Sequence, residues 1–215
     1  DRYLEEGMKL DYWWMDAGWY PCKGEWPNTG TWQPDSTRFP NGLRAVSDHA
    51  RAKGINTIVW FEPERVGDAD SWLAKNHPEW LLSKKAEVPA APKGGNFGSG
   101  PGSLLNLGNA EARDWLINHV DNTLREQGID LYRQDFNMDP LPFWKGADSP
   151  DRIGMTENLY VQGYLAYWDA LRQRHPNLRI DSCASGGRRD DLETMRRAVP
   201  LIRSDHLFEP TSQQN

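Results

Sequence analysis

Two cysteines in 215 residues, Cys22 and Cys183, leave no disulfide framework and no zinc-ligand spacing. They are expected as free thiols, although both would lie on the same face of the fold argued below. Long apolar runs are missing too: none approaches the roughly 18 residues a membrane span needs. No signal-peptide pattern is visible. The chain begins "DRYLEEG" without an initiator Met, so a leader could have been cut away. The cytoplasm is the expected location, with secretion left open. Positive charge is in deficit, 25 Lys and Arg against 31 Asp and Glu, for a net charge of −6. That argues against a general nucleic-acid binder or an anionic-membrane binder. Low-complexity sequence is confined to about 84–103, expected to be a flexible loop within one domain.

What remains is a globular composition, 38% hydrophobic and 26% charged, long enough for one sizeable core. Eleven Trp is a heavy load for such a chain. Indole faces pack cores, and they also stack on the C–H faces of pyranose rings.

The chain alternates strand, loop and helix. "LDYWWMDAGW" (10–19) reads as a strand ending at Asp16. In it Trp13 and Trp14 alternate, one toward the barrel core and one toward the helix layer. A long Pro/Gly/Asn loop follows. "NGLRAVSDHARAKG" (41–54) has helical spacing, with Leu43, Val46 and Ala50 on one face. "INTIVWFEPE" (55–64) is a second strand, ending at Glu62 before Pro63. A short helix spans "DADSWLAKNHPEWLL", and "AEARDWLINHVDNTLREQG" (110–128) is a longer one, with Trp115, Leu116, Val120 and Leu124 on its apolar side. "IDLYRQDFN" is the next strand. A Pro- and Trp-rich loop, a helix over "TENLYVQGYLAYWDALRQRHP", the strand "LRIDSCASGG", a helix over "DDLETMRRAVP" and a final strand "LIRSDH" complete the chain.

This rhythm implies a parallel sheet with crossover helices. Each strand hands over to its loop at a polar cluster: Asp16, Glu62 with Glu64, Asp135, Asp181 to Cys183, and Ser204 with Asp205. A doubly wound sheet would concentrate such residues at one switch point; a (β/α)8 barrel spreads them over all strand ends. Five strands are visible, whereas a barrel has eight over roughly 250 residues. The expectation is an α/β fold, a partial (β/α)8 TIM barrel holding roughly five of eight strands, with residues 1–215 as a fragment of a single catalytic domain.

Acids on one barrel rim suit metal binding or acid–base and nucleophilic catalysis. Barrel metal sites recruit His, and of His49, His77, His119, His175 and His206 only the last stands at a strand end. Neither a metal nor another cofactor is expected. Retaining glycoside cleavage needs two carboxyl groups about 5–5.5 Å apart. Asp135 and Asp205, two strands apart around the barrel, could flank a glycosidic bond. Asp135 must be ionised to attack, and neighbouring Arg133 favours that form. Asp205 must hold a proton, through burial or a like charge. Alternatively, strand-end acids merely cap the next helix.

"WFEPERV" (60–66), "YRQDFN" (132–137), "DSCASGGRRDD" (181–191) and "RSD" (203–205), in that order, resemble the melibiase catalytic barrel of glycoside hydrolase family 36, retaining α-galactosidases and relatives. The resemblance runs from Tyr12 to the end. It implies Asp135 as nucleophile and Asp205 as acid/base. It implies that Trp60 lines the sugar site and that Asp16 binds sugar hydroxyls. Cys183 with the Gly186–Gly187 turn would let backbone approach the ring. Arg203 and Arg188 would neighbour the acid/base and that turn. The implied partner is an α-galactoside or related oligosaccharide, with a homo-oligomer open for the full-length protein.

Two positions depart from the family pattern: Ala17 follows Asp16 where most members carry a second acid, and Arg133 replaces a Lys. Both would touch hydroxyls of the −1 sugar, so an N-acetylgalactosaminide stands beside galactose as substrate. A transglycosylase with the same carboxylates, a non-catalytic sugar binder and a metal-dependent hydrolase stand as further alternatives. Glu62 and Glu64 could bind sugar or tie the rim together, the latter favoured for Glu64. Asp181 could bind sugar or hold Arg188 or Arg189. Trp19, Trp26 and Trp32 are candidates for the cleft.

Overall fold

The computed structural model describes residues 1–84 and 102–204. Its elements are α1 (Arg2–Glu5), β1 (Tyr12–Met15), α2 (Arg44–Arg51), β2 (Asn56–Phe61), β3 (Arg65–Val66), α3 (Trp72–Asn76), β4 (Leu81–Leu82), β5 (Ser103–Leu105), α4 (Ala110–Gln127), β6 (Leu131–Gln134), α5 (Leu141–Ala147), α6 (Met155–Arg174), β7 (Arg179–Ser182) and α7 (Leu192–Met195).

Strands β1, β2, β6 and β7 pair in that order, all parallel. Parallel pairing requires a crossover between neighbours, and α2 and then α4 supply the first two. Register puts Trp60, Arg133 and Asp181 side by side on one face. Phe61, Gln134 and Ser182 share the other. That second face carries the helices: Tyr132 on β6 meets Tyr167 of α6 hydroxyl to hydroxyl at 2.8 Å, and Trp168 donates to Gln134 at 2.7 Å. Trp14 takes the inner face of β1, with the Arg133 guanidinium 4.9 Å from its ring, and Trp13 on the outer face is 40% exposed.

Helix α4 starts where the Asn109 side chain accepts the Glu111 and Ala112 N–H groups, and ends at Gly128 in the left-handed region. Helix α6 lies against the segment before α4, where a Cβ on Gly163 would stand 1.9 Å from the Leu107 carbonyl oxygen. Only glycine permits that approach. The core is aromatic: Trp19, Trp32, Phe61, Tyr132, Tyr167 and Trp168 are all essentially buried. Each contributes on the order of 1.5–3 kcal/mol by removal from water.

Three expectations change. The Pro- and Trp-rich stretch after β6 contains helix α5, opening beside Pro140. Residues flanking the expected loop form a second, three-stranded antiparallel sheet, β3-β5-β4, so Ser103 belongs to a strand. The rest of that loop, 85–101, lies outside the described residues. Of the last expected strand, "LIRSDH" (201–206), residues 201–204 carry no strand and 205–206 lie outside the described residues; one parallel bridge joins Val199, before it, to Asp181. Four parallel strands are therefore described, not five. No described helix is long and apolar enough to cross a membrane.

Candidate active site

The carboxyl ends of β2, β6 and β7 converge on Asp135. Its own backbone extends the sheet, donating from N–H to the Phe61 carbonyl at 2.8 Å, and Cys183 N–H does the same to Gln134 at 2.8 Å. The Asp135 side chain is 9% exposed. One oxygen, Oδ1, accepts the Phe136 N–H at 2.7 Å and the Ser185 N–H at 3.1 Å. The other, Oδ2, accepts the Trp60 indole N–H at 3.1 Å. The Asn137 side chain favours the charged form as well. Burial pushes the carboxyl upward, but Asn137, Ser185, Trp60 and Phe136 outweigh it and hold Asp135 below the ordinary aspartate value. It is an ionised carboxylate at neutral pH, nearly stripped of water and fixed in orientation.

Arg133 lies beside it on the inner face, hydrogen-bonded to Asp181. Burial raises the Asp181 carboxyl and the guanidinium opposes that rise. Because Arg does not deprotonate, the pair stays charged. The other oxygen of Asp181 accepts the Leu201 N–H at 2.8 Å. Asp181 therefore holds Arg133 rather than Arg188 or Arg189. The Cys183 thiol is driven up to about 12 by burial and by the Asp135 anion. It is a neutral group at the site. Cys22 and Cys183 are both free and buried.

The turn after β7 passes through Ser185 and Gly186, both at positive φ. That conformation aims the Ser185 N–H at Asp135. A Cβ on Gly187 would stand 2.7 Å from the Arg203 carbonyl, so the Arg203 backbone packs on the turn while its residue is exposed. Arg188 donates to the Ala184, Phe136 and Met138 carbonyls, at 2.7, 2.7 and 3.1 Å, and staples this turn to the loop after β6. Asp16 stands exposed at the end of β1, two strands from β6, and accepts the Ala17 N–H at 2.8 Å. Asp205 lies outside the described residues. The structure thus brings Trp60, Arg133, Asp135, Cys183 and the Gly186 turn together, and leaves Asp16 on the rim.

The two glutamates of "WFEPE" behave differently from sugar ligands. Glu64 is fully buried, bidentate with Arg189 at 2.7 and 2.9 Å, and accepts from Gln134 at 2.8 Å and from Tyr160. Glu62 is also fully buried, paired with Arg65 at 3.1 Å. Desolvation lifts Glu62 to about 7, with Arg65 opposing. Trp19 and Trp32, both 1% exposed, are core residues and not cleft residues. Trp26 is 41% exposed and stands edge-on to Trp60 at 5.8 Å, beside the site. Sequence reasoning missed Ser185 as a donor to Asp135 and Asn137 as a group favouring its charged form. The signal was present in "DFN", an Asp with an amide two residues on. Among the described residues no group of three or more His, Cys, Asp or Glu could hold a metal ion.

An ionised, dehydrated carboxylate with an aromatic wall beside it is equipped to attack an electrophilic carbon. A model of the melibiase family matches residues 4–208. An α-galactosidase of Escherichia coli is 30% identical over 194 residues, covering 89% of this chain and 25% of its own. A probable α-galactosidase C of Aspergillus flavus is 31% identical over 213 residues, covering 93% and 26%. Among solved structures, the α-galactosidase of Lactobacillus brevis aligns with a TM-score of 0.76 at 25% identity, covering 95% of this chain and 26% of its own. A family 36 α-galactosidase of Geobacillus stearothermophilus, solved in complex with stachyose, aligns with a TM-score of 0.73 at 25% identity, covering 93% and 27%. The chain spans about a quarter of the length of the curated relatives it matches.

Proposed function

The chain belongs to the melibiase family, that of the glycoside hydrolase family 36 α-galactosidases, and on that premise we propose that it is part of the (β/α)8 catalytic domain of a retaining α-galactosidase. The observation that carries this reading is the ionised Asp135 carboxylate, held by Trp60, Ser185, Phe136 and Asn137 at the sheet's carboxyl edge.

In this reading Asp135 attacks the anomeric carbon while Asp205 donates its proton to the departing glycosidic oxygen. The C–O bond to the leaving group breaks as the bond to Asp135 forms. Asp205, now a carboxylate, takes a proton from water, whose oxygen attacks the same carbon and releases Asp135. The sugar leaves with its original α configuration. Glu62 cannot substitute as proton donor, because it is fully buried. Asp135 must be ionised, so kcat/KM falls as pH drops through its pKa. That limb lies below the ordinary aspartate value, given the donors around it. The substrate class is an α-galactosyl oligosaccharide, supported by the stachyose complex of the Geobacillus relative.

A second sugar is favoured by two observations. Ala17 offers no carboxylate beside Asp16, and the Arg133 guanidinium is already tied to Asp181 and to the Trp14 face. A grip on a hydroxyl pair is therefore weaker than an acid pair and a free Lys would give. The test is a panel of aryl α-galactoside, α-N-acetylgalactosaminide, α-glucoside and α-xyloside on the full-length protein. Release from the galactoside supports the reading. Release only from another sugar moves specificity to Ala17 and Arg133, and Ala17→Asp with Arg133→Lys is then expected to raise galactoside kcat/KM at least about tenfold, roughly 1.4 kcal/mol of transition-state binding. No release from any of the four contradicts the function.

A further inference from the structure

We propose that Glu62 and Arg65 are positioning residues for the reaction, acting through Asn137 on the Asp135 carboxylate. This rests on Asp135 as nucleophile. The two residues clamp one peptide segment from both sides. The Asn137 N–H donates to Glu62 Oε1, and Arg65 donates to the Asn137 carbonyl. Arg65 Nε lies 3.1 Å from Glu62 Oε2, closing the clamp. Their side chains are 6% and 0% exposed, so neither meets a substrate.

The clamped residue is tied to the carboxylate through Ser185. The Ser185 hydroxyl donates to Asn137 Oδ1 at 2.5 Å. Ser185 also donates its N–H to Asp135 Oδ1. A chain of hydrogen bonds thus runs from Asn137 through Ser185 to Asp135, and Glu62 with Arg65 fixes the backbone at its Asn137 end. A second route runs from the same pair. Arg65 lies 5.5 Å from the Trp26 ring, Trp26 abuts Trp60, and Trp60 donates to Asp135.

Burying two charges is costly, and replacing such a pair by apolar residues is often neutral or stabilising. The role assigned to the pair here is therefore geometry, the fixed Asn137 segment, rather than stability. The other charged or titratable groups around Asp135 are Arg133, Asp181, Cys183 and Arg188. None of them touches Asn137 in the hydrogen bonds described above.

The test reads Asp135 protonation without needing turnover. In the full-length protein, carbodiimide labelling of the Asp135 peptide is followed by mass spectrometry against pH, since only the protonated carboxyl reacts. Asn137→Ala is expected to raise the labelling midpoint, because Ser185 loses the acceptor that holds it against Asp135 and the carboxylate loses the nearby amide. Glu62→Gln keeps an acceptor for the Asn137 N–H; Glu62→Leu does not. Both lose the same charge, so their difference isolates the clamp, and the midpoint for Glu62→Leu is expected above that for Glu62→Gln. On an active substrate, kcat should fall several-fold further in Glu62→Leu than in Glu62→Gln, with KM moving less than about twofold. An unmoved midpoint in Asn137→Ala overturns the proposal, even if Glu62→Leu fails to fold. Coincident midpoints for the two Glu62 variants overturn it as well. A wild-type protein inactive on every α-glycoside would sink the function proposed above, while the labelling would still decide the positioning.

Discussion

Asp135→Asn in the full-length protein is expected to abolish α-glycoside turnover, by roughly 10^4-fold or more, the scale on which a member of a catalytic unit is missed. The substitution keeps the shape of the side chain. One oxygen still accepts the Phe136 and Ser185 N–H groups that Oδ1 now takes. The fold should therefore persist, with an unfolding midpoint within a few degrees of the parent. What is lost is the charge that attacks. Asp135→Ala separates the nucleophile from other roles. With the carboxylate gone, azide can enter from the face it vacated, displace the aglycone and form a glycosyl azide of β configuration. Restored turnover with that product assigns attack to this position. Full activity in either variant would remove Asp135 from the mechanism.

The second large effect is on stability. Arg189→Met is expected to destabilise the domain by about 3–5 kcal/mol, because it leaves Glu64 charged and buried without its partner. Glu64 is fully buried, and the guanidinium covers both its oxygens, at 2.7 and 2.9 Å. The same guanidinium is packed between the Phe136 and Tyr164 rings, 3.8 and 4.6 Å from their centroids. For a domain of this size the loss corresponds to a fall in Tm on the order of 10 °C. Glu64→Gln added to Arg189→Met removes the stranded charge, so the double variant should be more stable than Arg189→Met alone. Thermal unfolding of the four proteins forms a double-mutant cycle. A Tm for Arg189→Met within about 1 °C of the parent would show that the pair does not hold the rim.

The network around Glu64 also shows what the sequence could and could not disclose. The sequence already favours the structural reading of Glu64 as an ion-pair anchor of the rim, but its partner lies 125 residues away. No local pattern selects Arg189 over Arg188, and Asp181 was open to either. The structure gives Asp181 to Arg133, because β6 and β7 pair in a register that sets the two side by side. Long-range register decides such pairings.

The strands of the parallel sheet were legible because "INTIVWF" and "IDLYRQ" are apolar runs bounded by Gly, Pro or Asp. Helix α5 was not, because its Pro residues read as loop signals. Pro is tolerated in a first helical turn, and Pro140 and Pro142 stand at the start of α5. The antiparallel sheet β3-β5-β4 escaped for another reason. Its strands are two or three residues long, too short for any periodicity. Asp135 and Cys183 were picked out as residues at strand ends, which converge in this fold. Trp60 came only from the resemblance to the family 36 barrel and Arg133 from its place beside Asp135, and pairing of β2 with β6 sets those two side by side. Trp19 and Trp32 were misplaced in the cleft because a loop position does not reveal burial. Their rings pack with Phe61 at 5.0 and 5.8 Å.

The proposed mechanism requires a covalent bond between Asp135 and the sugar. A fluorinated α-galactosyl fluoride that forms the glycosyl-enzyme quickly and hydrolyses slowly tests it directly. The full-length protein would be inactivated with it, digested, and mapped by mass spectrometry. One added fluorogalactosyl group is expected, on the peptide that carries Asp135. A label on another carboxylate, or an unlabelled enzyme that turns the reagent over with inverted configuration at the anomeric carbon, would contradict it.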